Sequence, residues 1–375
     1  MHDKRIDRRV NKHVGKYLNG ILNIEIGKNS VFTKEQIIQV VVYTAMLGTF
    51  LETAVRKLLV VWKQKVPSAD MVLIRLKQIT IDQLRVEIKP VNDRIVSAAK
   101  KLRILTHAVV VAIDFHDQPF FSKAKKRDGS VVTSKGQKGT KWGHRIATLD
   151  VVEKGMRFTL VSIEVNMFTR KEKIVEQLII EARKHAKIRC VLLDRGFFSV
   201  PVINKLDELK VRYLMPAKKN SKIKSIVVGS KAYRYTITRY EMVSNTKDVA
   251  VFNLVVVDMS TRKKNPKNDD YFTYATNMKV DEKNVIAIGE IYRKRWGIET
   301  GYRVKKRFRI KTCSTSAVVR YLFLHLSVIL FNLWVLYKIL MGKDDTYKIY
   351  GDELTTDIFR ELYISVIQGT GIGRC

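Results

Sequence analysis

Tyr292, Arg295, Glu299 and Lys306 lie in a stretch that sets a single carboxylate among a dense run of cations. From Arg295 to Lys311 stand Arg295, Arg303, Lys305, Lys306, Arg307, Arg309 and Lys311, with Glu299 the only acid. At about 100° per residue, Tyr292, Arg295, Glu299, Arg303 and Lys306 fall within about 80° of one another on one helix face. A surface that grips phosphate has no use for a lone carboxylate unless a divalent cation sits between it and the nucleic acid. The stretch therefore points to phosphoryl transfer, which uses two or three carboxylates from different elements to hold a pair of divalent ions. Hard oxygen donors suit Mg²⁺ or Mn²⁺, and no cysteine is needed.

Asp114, in Val-Ala-Ile-Asp-Phe-His-Asp, and Asp194, in Val-Leu-Leu-Asp-Arg-Gly-Phe-Phe, are the matching candidates. Each closes an apolar run of strand character, and open α/β sheets place their sites at the carboxyl ends of strands. If the two strands are parallel neighbours, the carboxylates face each other, and Glu299 arrives over the sheet on its helix. Taken singly each residue has an ordinary reading: an Asp after a strand is often a turn or cap residue, and Glu299 can pair with Arg295 or Arg303 four positions away. His116 and Asp117 can hold a ligand in place or pack a loop. Lys138, Lys141 and Arg195 are candidate phosphate contacts, although the Lys-Gly-Thr-Lys-Trp-Gly loop can equally be solvated.

The chain has 375 residues, enough for two or three modest domains, and a net charge of +34 from 70 basic and 36 acidic residues. So large an excess creates a long-range positive potential whose commonest partner is nucleic acid, with an anionic membrane second. The basic residues cluster: Lys123, Lys125, Lys126, Arg127, Lys135, Lys138, Lys141 and Arg145 face one acid, Asp128. Cys190, Cys313 and Cys375 are too widely spaced for a zinc site, and a reducing cytoplasmic compartment, with the protein on the nucleoid, is expected. The polar N-terminus lacks the apolar core of a signal peptide. The run Tyr321 to Tyr337 reaches the short limit of a membrane span but carries His325, Ser327 and Asn332, so a helix buried against a sheet is expected, and no membrane partner.

Capping patterns at Thr33 with Gln36 and Thr80 with Gln83 start helices in a mostly helical segment, which Pro67-Ser68 and Pro90 punctuate. From 107 the character changes. His107 to Ile113 reads as a strand buried on both faces and ended by Asp114, followed by a basic loop and a hairpin over His144 to Val152 and Met156 to Val165. Helices over Thr169 to Ala186 and Phe198 to Leu209 alternate with strands over Arg189 to Leu193 and Val211 to Met215, the signature of parallel pairing. Residues 217 to 280 revert to strand patterns, and a helix is expected over Glu282 to Arg309.

The run Tyr292, two residues, Arg295, three residues, Glu299, six residues, Lys306 resembles the Y-(2)-R-(3)-E-(6)-K motif of one branch of prokaryotic DDE transposases. Asp114 in AIDFHD and Asp194 in LLDRGFFS resemble that branch's first and second catalytic aspartates. The resemblance covers roughly residues 105 to 340. It implies an α/β, ribonuclease H-like mixed sheet with flanking helices, interrupted by a β-rich insertion, with Asp114, Asp194 and Glu299 as the metal-binding triad. It also implies that Tyr292, Arg295 and Lys306 contact phosphates at a transposon end, in keeping with the hydrogen-bonding capacity of these side chains. In members that cut through a DNA hairpin, a Trp of the insertion can stack on a flipped base. Here Trp62, Trp142, Trp296 and Trp334 all lie outside the insertion, leaving Tyr233, Tyr235, Tyr240 or Phe252 to stack or to serve as plain strand residues.

The expected organisation is a helical, DNA-binding region at 1–106, the first part of the catalytic domain at 107–216, the insertion at 217–280, the second part at 281–345 and a tail at 346–375. The expected activity is cleavage at the ends of an insertion sequence and transfer of the freed 3′-OH into target DNA. Two Mg²⁺ or Mn²⁺ ions would serve each site of a homodimer assembled on double-stranded DNA. A ribonuclease H-fold nuclease or resolvase using the same carboxylates, and a non-catalytic basic DNA-binding protein, are the competing readings.

Overall fold

The apolar run before Asp114 builds the centre of the molecule. In the computed structural model, which describes residues 4–122, 128–137, 139–153, 156–230, 234–258, 271–344 and 353–373, strand β1 (Val109–Pro119) lies inside a nine-stranded mixed sheet. It pairs antiparallel with β3 (Thr140–Val151) and parallel with β5 (Ile188–Leu193). Because side chains alternate across a strand, Val109, Val111 and Ile113 enter one core and Val110 and Ala112 the other. Strand β4 (Thr159–Val165) pairs with β3, and β6 (Tyr213–Pro216) runs parallel to β5. Between them α6 (Lys171–Arg183) and α7 (Val200–Glu208) cross one face of the sheet. Strands β1, β3, β4, β5 and β6 with their covering helices make a ribonuclease H-like mixed sheet.

Two expectations change at this level. Strand β1 runs through Asp114 to Pro119 because β3 pairs with it along that whole length, so Asp114 sits within the strand and does not end it. The segment expected as loop contains β2 (Val131–Gln137), which pairs with the start of β3. Its sequence, Val-Val-Thr-Ser-Lys-Gly-Gln, lacks apolar alternation because the strand is held by its partner's backbone at the sheet margin. After α8 (Ser221–Gly229), strands β7 (Tyr235–Val243), β8 (Val249–Asp258) and β9 (Tyr271–Thr276) extend the same sheet in the order β6-β9-β8-β7.

The N-terminal segment forms α1 (Lys4–Leu18), α2 (Lys34–Leu47), α3 (Leu51–Arg56), α4 (Ala69–Lys77) and α5 (Ile81–Lys101). At α2 the capping box is complete: Gln36 N–H donates to Thr33 Oγ1 and Thr33 N–H to Gln36 Oε1. At α5, Thr80 caps the Gln83 N–H, but the Gln83 side chain turns to Asn23 and Glu87. Pro90 does not punctuate this helix, which passes straight through it. Pro90 lies on the solvent side, as does Val86, whose carbonyl the missing N–H would have met, and Leu84, Ile88, Val91, Ile95 and Ala99 hold the opposite side in the core.

The apolar C-terminal run forms α11 (Ala317–Lys343), long and apolar enough to cross a membrane, yet 83% of its most apolar window is buried inside the fold. Its polar residues are its docking points. Asn332 accepts from the Thr159 N–H at 2.9 Å and donates to the Thr159 carbonyl at 2.8 Å and to Asn92 Oδ1 at 2.7 Å. Those bonds satisfy the start of strand β4 and tie it to α5 and α11. His325 lies 2.9 Å from Ser162 Oγ and 2.9 Å from Glu164 Oε1, and Arg85 reaches the other Glu164 oxygen. The stretch 353–373 contains α12 (Thr356–Thr370), which packs on α1 and α2.

Two outcomes follow for stability. Asn332→Ala leaves the Thr159 N–H buried without its acceptor and is expected to lower unfolding free energy by about 2–3 kcal/mol in urea titration; a loss below about 0.5 kcal/mol would contradict this role. Burial works against the Glu164 charge, but the bonds from His325 and Arg85 outweigh it and pull the pKa down from 4.5 to about 2. A carboxylate depressed on folding stabilises the fold above its unfolded pKa and loses that contribution as pH falls towards its folded value. Glu164→Gln is therefore expected to flatten the decline in stability between pH 4.5 and 2, seen by comparing thermal midpoints of the two proteins across that range.

Candidate active site

The parallel pairing of β1 with β5 matches Ile113 to Leu193, so the next residues along each strand direction, Asp114 and Asp194, stand side by side. Both share the face of Ala112 and Leu192, the side covered by α9 (Val285–Arg293) and α10 (Trp296–Lys305). Asp194 is also a cap: its Oδ1 accepts from the Gly196 N–H at 2.8 Å and starts a short 3₁₀ turn. A Cβ at position 196 would stand 2.9 Å from that oxygen, so glycine permits the close approach. Asp194 is thus a turn residue, at the position that the strand register brings next to Asp114.

The expected single helix from Glu282 to Arg309 is broken. The N–H groups of Lys294 and Arg295 bond back to Ile291 and Tyr292, three residues away, which ends α9 and restarts the chain as α10. Lys306 falls in the 3₁₀ turn Lys306–Phe308 that follows α10, so the motif does not occupy one face of one helix. What the break achieves is the aim of Arg295. Its guanidinium lies over the Tyr292 ring, 3.7 Å from Asp114 Oδ2 and 2.8 Å from Glu299 Oε1. The Tyr292 hydroxyl donates to the Leu193 carbonyl at 3.3 Å, next to Asp194, and burial pushes its pKa up to about 12, so it is a neutral donor at ordinary pH.

The remaining candidates divide by position. Arg303, Lys306, Arg195 and Lys141 are exposed and present cations to solvent, while Lys138 lies outside the described residues. His116 shares the Asp114 face, buried against the Tyr302 ring at 5.1 Å. Burial, with Arg309, Lys305 and Lys306 nearby, holds its pKa well below the ordinary imidazole value. Asp117 does not support the site. Strand alternation turns it to the opposite face, where Arg145 binds it with two bonds of 2.6 and 2.8 Å. Tyr240 and Phe252 are buried against each other and are strand residues, not base-stacking platforms; Tyr233 lies outside the described residues.

A buried ion pair beside the site was not foreseen. Asp150, on β3, is paired in register with Ala112, and Lys305 Nζ binds both its oxygens at 2.8 and 2.9 Å. Lys305 is fully buried, lying over the rings of Tyr302 and Phe331. Thr148 donates to Asp150 and bonds the Tyr302 hydroxyl at 2.7 Å, and Thr159 also binds the Asp150 carboxylate. The available signal was the stripe Ile298, Tyr302, Lys305 at four- and three-residue spacing, whose last member is a cation at a core position. This cluster pins the C-terminal half of α10 to the sheet. Lys305→Met strands a buried carboxylate and is expected to cost about 3–5 kcal/mol in denaturant unfolding, with much of the loss recovered in Lys305→Met/Asp150→Leu. A cost below about 1 kcal/mol would show that the pair does not hold α10.

In donor chemistry, Asp114, Asp194 and Glu299 fit a hard divalent cation. In position, two of them share a sheet face and the third is drawn to the same guanidinium as Asp114. Among the described residues no three His, Cys, Asp or Glu side chains are gathered closely enough to hold a metal as they stand.

Comparison with known proteins accords with this geometry. The family model described as transposase DDE domain matches residues 107–333, from the run into β1 to the middle of α11. No curated protein matches the chain. Among solved structures, the chain is similar to the piggyBac transposase synaptic complex with hairpin DNA, determined by cryo-EM, with a TM-score of 0.56 and 13% identity over 98% of this chain and 80% of that one. That likeness is one of fold. Because the family match spans more than half of its length and includes all three candidate carboxylates, the chain belongs to the transposase DDE domain family and is a DNA transposase.

Proposed function

We propose that the chain is the transposase of a prokaryotic insertion sequence, of the branch marked by Tyr292, Arg295, Glu299 and Lys306, and that Asp114, Asp194 and Glu299 form its catalytic site. The observation that carries this reading is the register of β1 and β5, which sets Asp114 beside Asp194 beneath the helix that bears Glu299. In this reading the three carboxylates hold two divalent ions, Mg²⁺ or Mn²⁺, which would supply Lewis-acid activation of water and stabilise the leaving oxygen.

The protein's own groups bind and orient the DNA. Arg295, Arg303, Lys306, Arg195 and Lys141, with Lys138, neutralise phosphates along the helix and the strand ends. Tyr292, its pKa pushed up to about 12 by burial, is suited to donate its hydroxyl proton to a phosphate oxygen in place of the Leu193 carbonyl. The Asp150–Lys305 pair keeps α10, and with it Glu299, at a fixed height over the sheet. Water breaks a phosphodiester bond at the element's end and frees a 3′-OH. That hydroxyl then attacks a target phosphate in line and displaces a target 3′ oxygen, with no bond to the protein. The partners are double-stranded terminal repeats and target DNA. Synapsis of two ends calls for a homodimer on DNA, in the cytoplasm, with the helical N-terminal segment contributing DNA contacts and no membrane involved.

The test uses duplexes carrying the terminal repeats that bracket the coding region. Asp114→Ala, Asp194→Ala and Glu299→Gln are each expected to reduce Mg²⁺-dependent cleavage and end-joining by at least about a thousandfold while duplex binding persists in gel shift. Wild-type rates in all three variants would remove the site assignment; cleavage without joining in the parent protein would favour a nuclease.

A further inference from the structure

Among the described residues, Arg295 pairs with two of the three candidate carboxylates. It stands 3.7 Å from Asp114 and 2.8 Å from Glu299, in the space where a cation shared by those two residues would lie. It is not a settled structural arginine. Its Nε is buried without a hydrogen-bond partner, although the guanidinium has five N–H donors to place. Its side chain is largely buried, 13% exposed, yet it lies outside the part of α10 that the Lys305 cluster holds. Arg295 sits in the break between α9 and α10, while the anchoring contacts of α10, Tyr302 and Lys305, lie at the other end of the helix. Glu299 is about half exposed, 51% of its side chain, so its bond to Arg295 opens onto solvent.

We propose that Arg295 is a counter-ion switch that couples DNA binding to divalent-cation binding. This rests on the reading of Asp114, Asp194 and Glu299 as the metal site. Without DNA, the guanidinium neutralises Asp114 and Glu299 and competes with a metal for them. A DNA phosphate offers the same fork a new anion, and Arg295 moves to it by side-chain rotation while α10 stays pinned. The carboxylates released are then open to a divalent cation, whose charge in turn repels Arg295 towards the phosphate. Each ligand therefore raises the affinity for the other, by the same factor in both directions. The arrangement keeps the free protein poorly loaded and confines loading to the DNA-bound state.

The experiment measures Mn²⁺ binding to the full chain by electron paramagnetic resonance, with and without a short duplex, subtracting the ions held by the duplex alone. Arg295→Gln is expected to bind Mn²⁺ about tenfold more tightly than the parent protein in the absence of DNA. The duplex is expected to tighten Mn²⁺ binding to the parent about tenfold, and to Arg295→Gln by less than about twofold. Equal Mn²⁺ affinities in the two proteins, with the same response to duplex, would overturn the switch. A second measurement needs no variant: duplex affinity of the parent protein with and without saturating Mn²⁺ should change by the same factor, and an unchanged affinity also overturns it. Asp114→Asn separates the two levels of the argument. If it binds Mn²⁺ as the parent does, the metal-site reading itself fails; if it loses Mn²⁺ while Arg295→Gln behaves as the parent, only the switch fails.

Discussion

Two carboxylates that follow paired parallel strands on one sheet face can be reached by a single covering helix, and the register that aligns them is the constraint on which the site depends. The parallel register of β1 and β5 sets Asp114 beside Asp194, and the surrounding apolar residues keep the strands from sliding apart. A one-residue slip would send one carboxylate to the opposite core. Positive charge nearby offsets the charge of Asp114. The fold supplies it as Arg295 from the covering helices, in a chain whose net charge is +34. The position of α10, the break before it and the burial of Lys305 all bear on how that charge is presented.

The two ends of α10 serve opposite purposes. At one end, Lys305 and Asp150 form an ion pair with almost no exposure, supported by Thr148, Thr159 and Tyr302. Buried pairs gain little net stability but are costly to break, which suits a fixed post. At the other end, a largely buried Arg295 meets a half-exposed Glu299, so the pair is open to solvent on the carboxylate side only. One helix thus carries a rigid anchor and a replaceable contact, about two turns apart.

Much of this was legible in the sequence, for identifiable reasons. The uninterrupted apolar run before Asp114 read as a strand buried on both faces, the run before Asp194 as a short strand, and alternation with helices implied parallel pairing. The capping residues Thr33 and Thr80 fixed two helix starts, and the polar residues of the apolar run already argued for a buried helix. What escaped notice was whatever depends on partners distant in the chain. β2 is polar and forms through pairing with β3. Pro90 is tolerated because it falls on the solvent side of α5. Helical periodicity extended one helix through Lys294 and Arg295, where local bonds of shorter reach end it. The same periodicity singled out Lys306 and passed over Lys305, because a buried lysine is recognisable only once Asp150, remote in sequence, is known to face it.

In the proposed mechanism Asp114, Asp194 and Glu299, from three separate segments, surround the divalent-cation site of this transposase. The most direct measurement replaces Mg²⁺ with Fe²⁺ in the DNA-bound protein and generates hydroxyl radicals at the bound iron, cutting the backbone beside it. Cuts next to residues 114, 194 and 299, suppressed together by excess Mg²⁺, are the predicted result. Cuts elsewhere, or cuts at these positions that Mg²⁺ does not suppress, would contradict it.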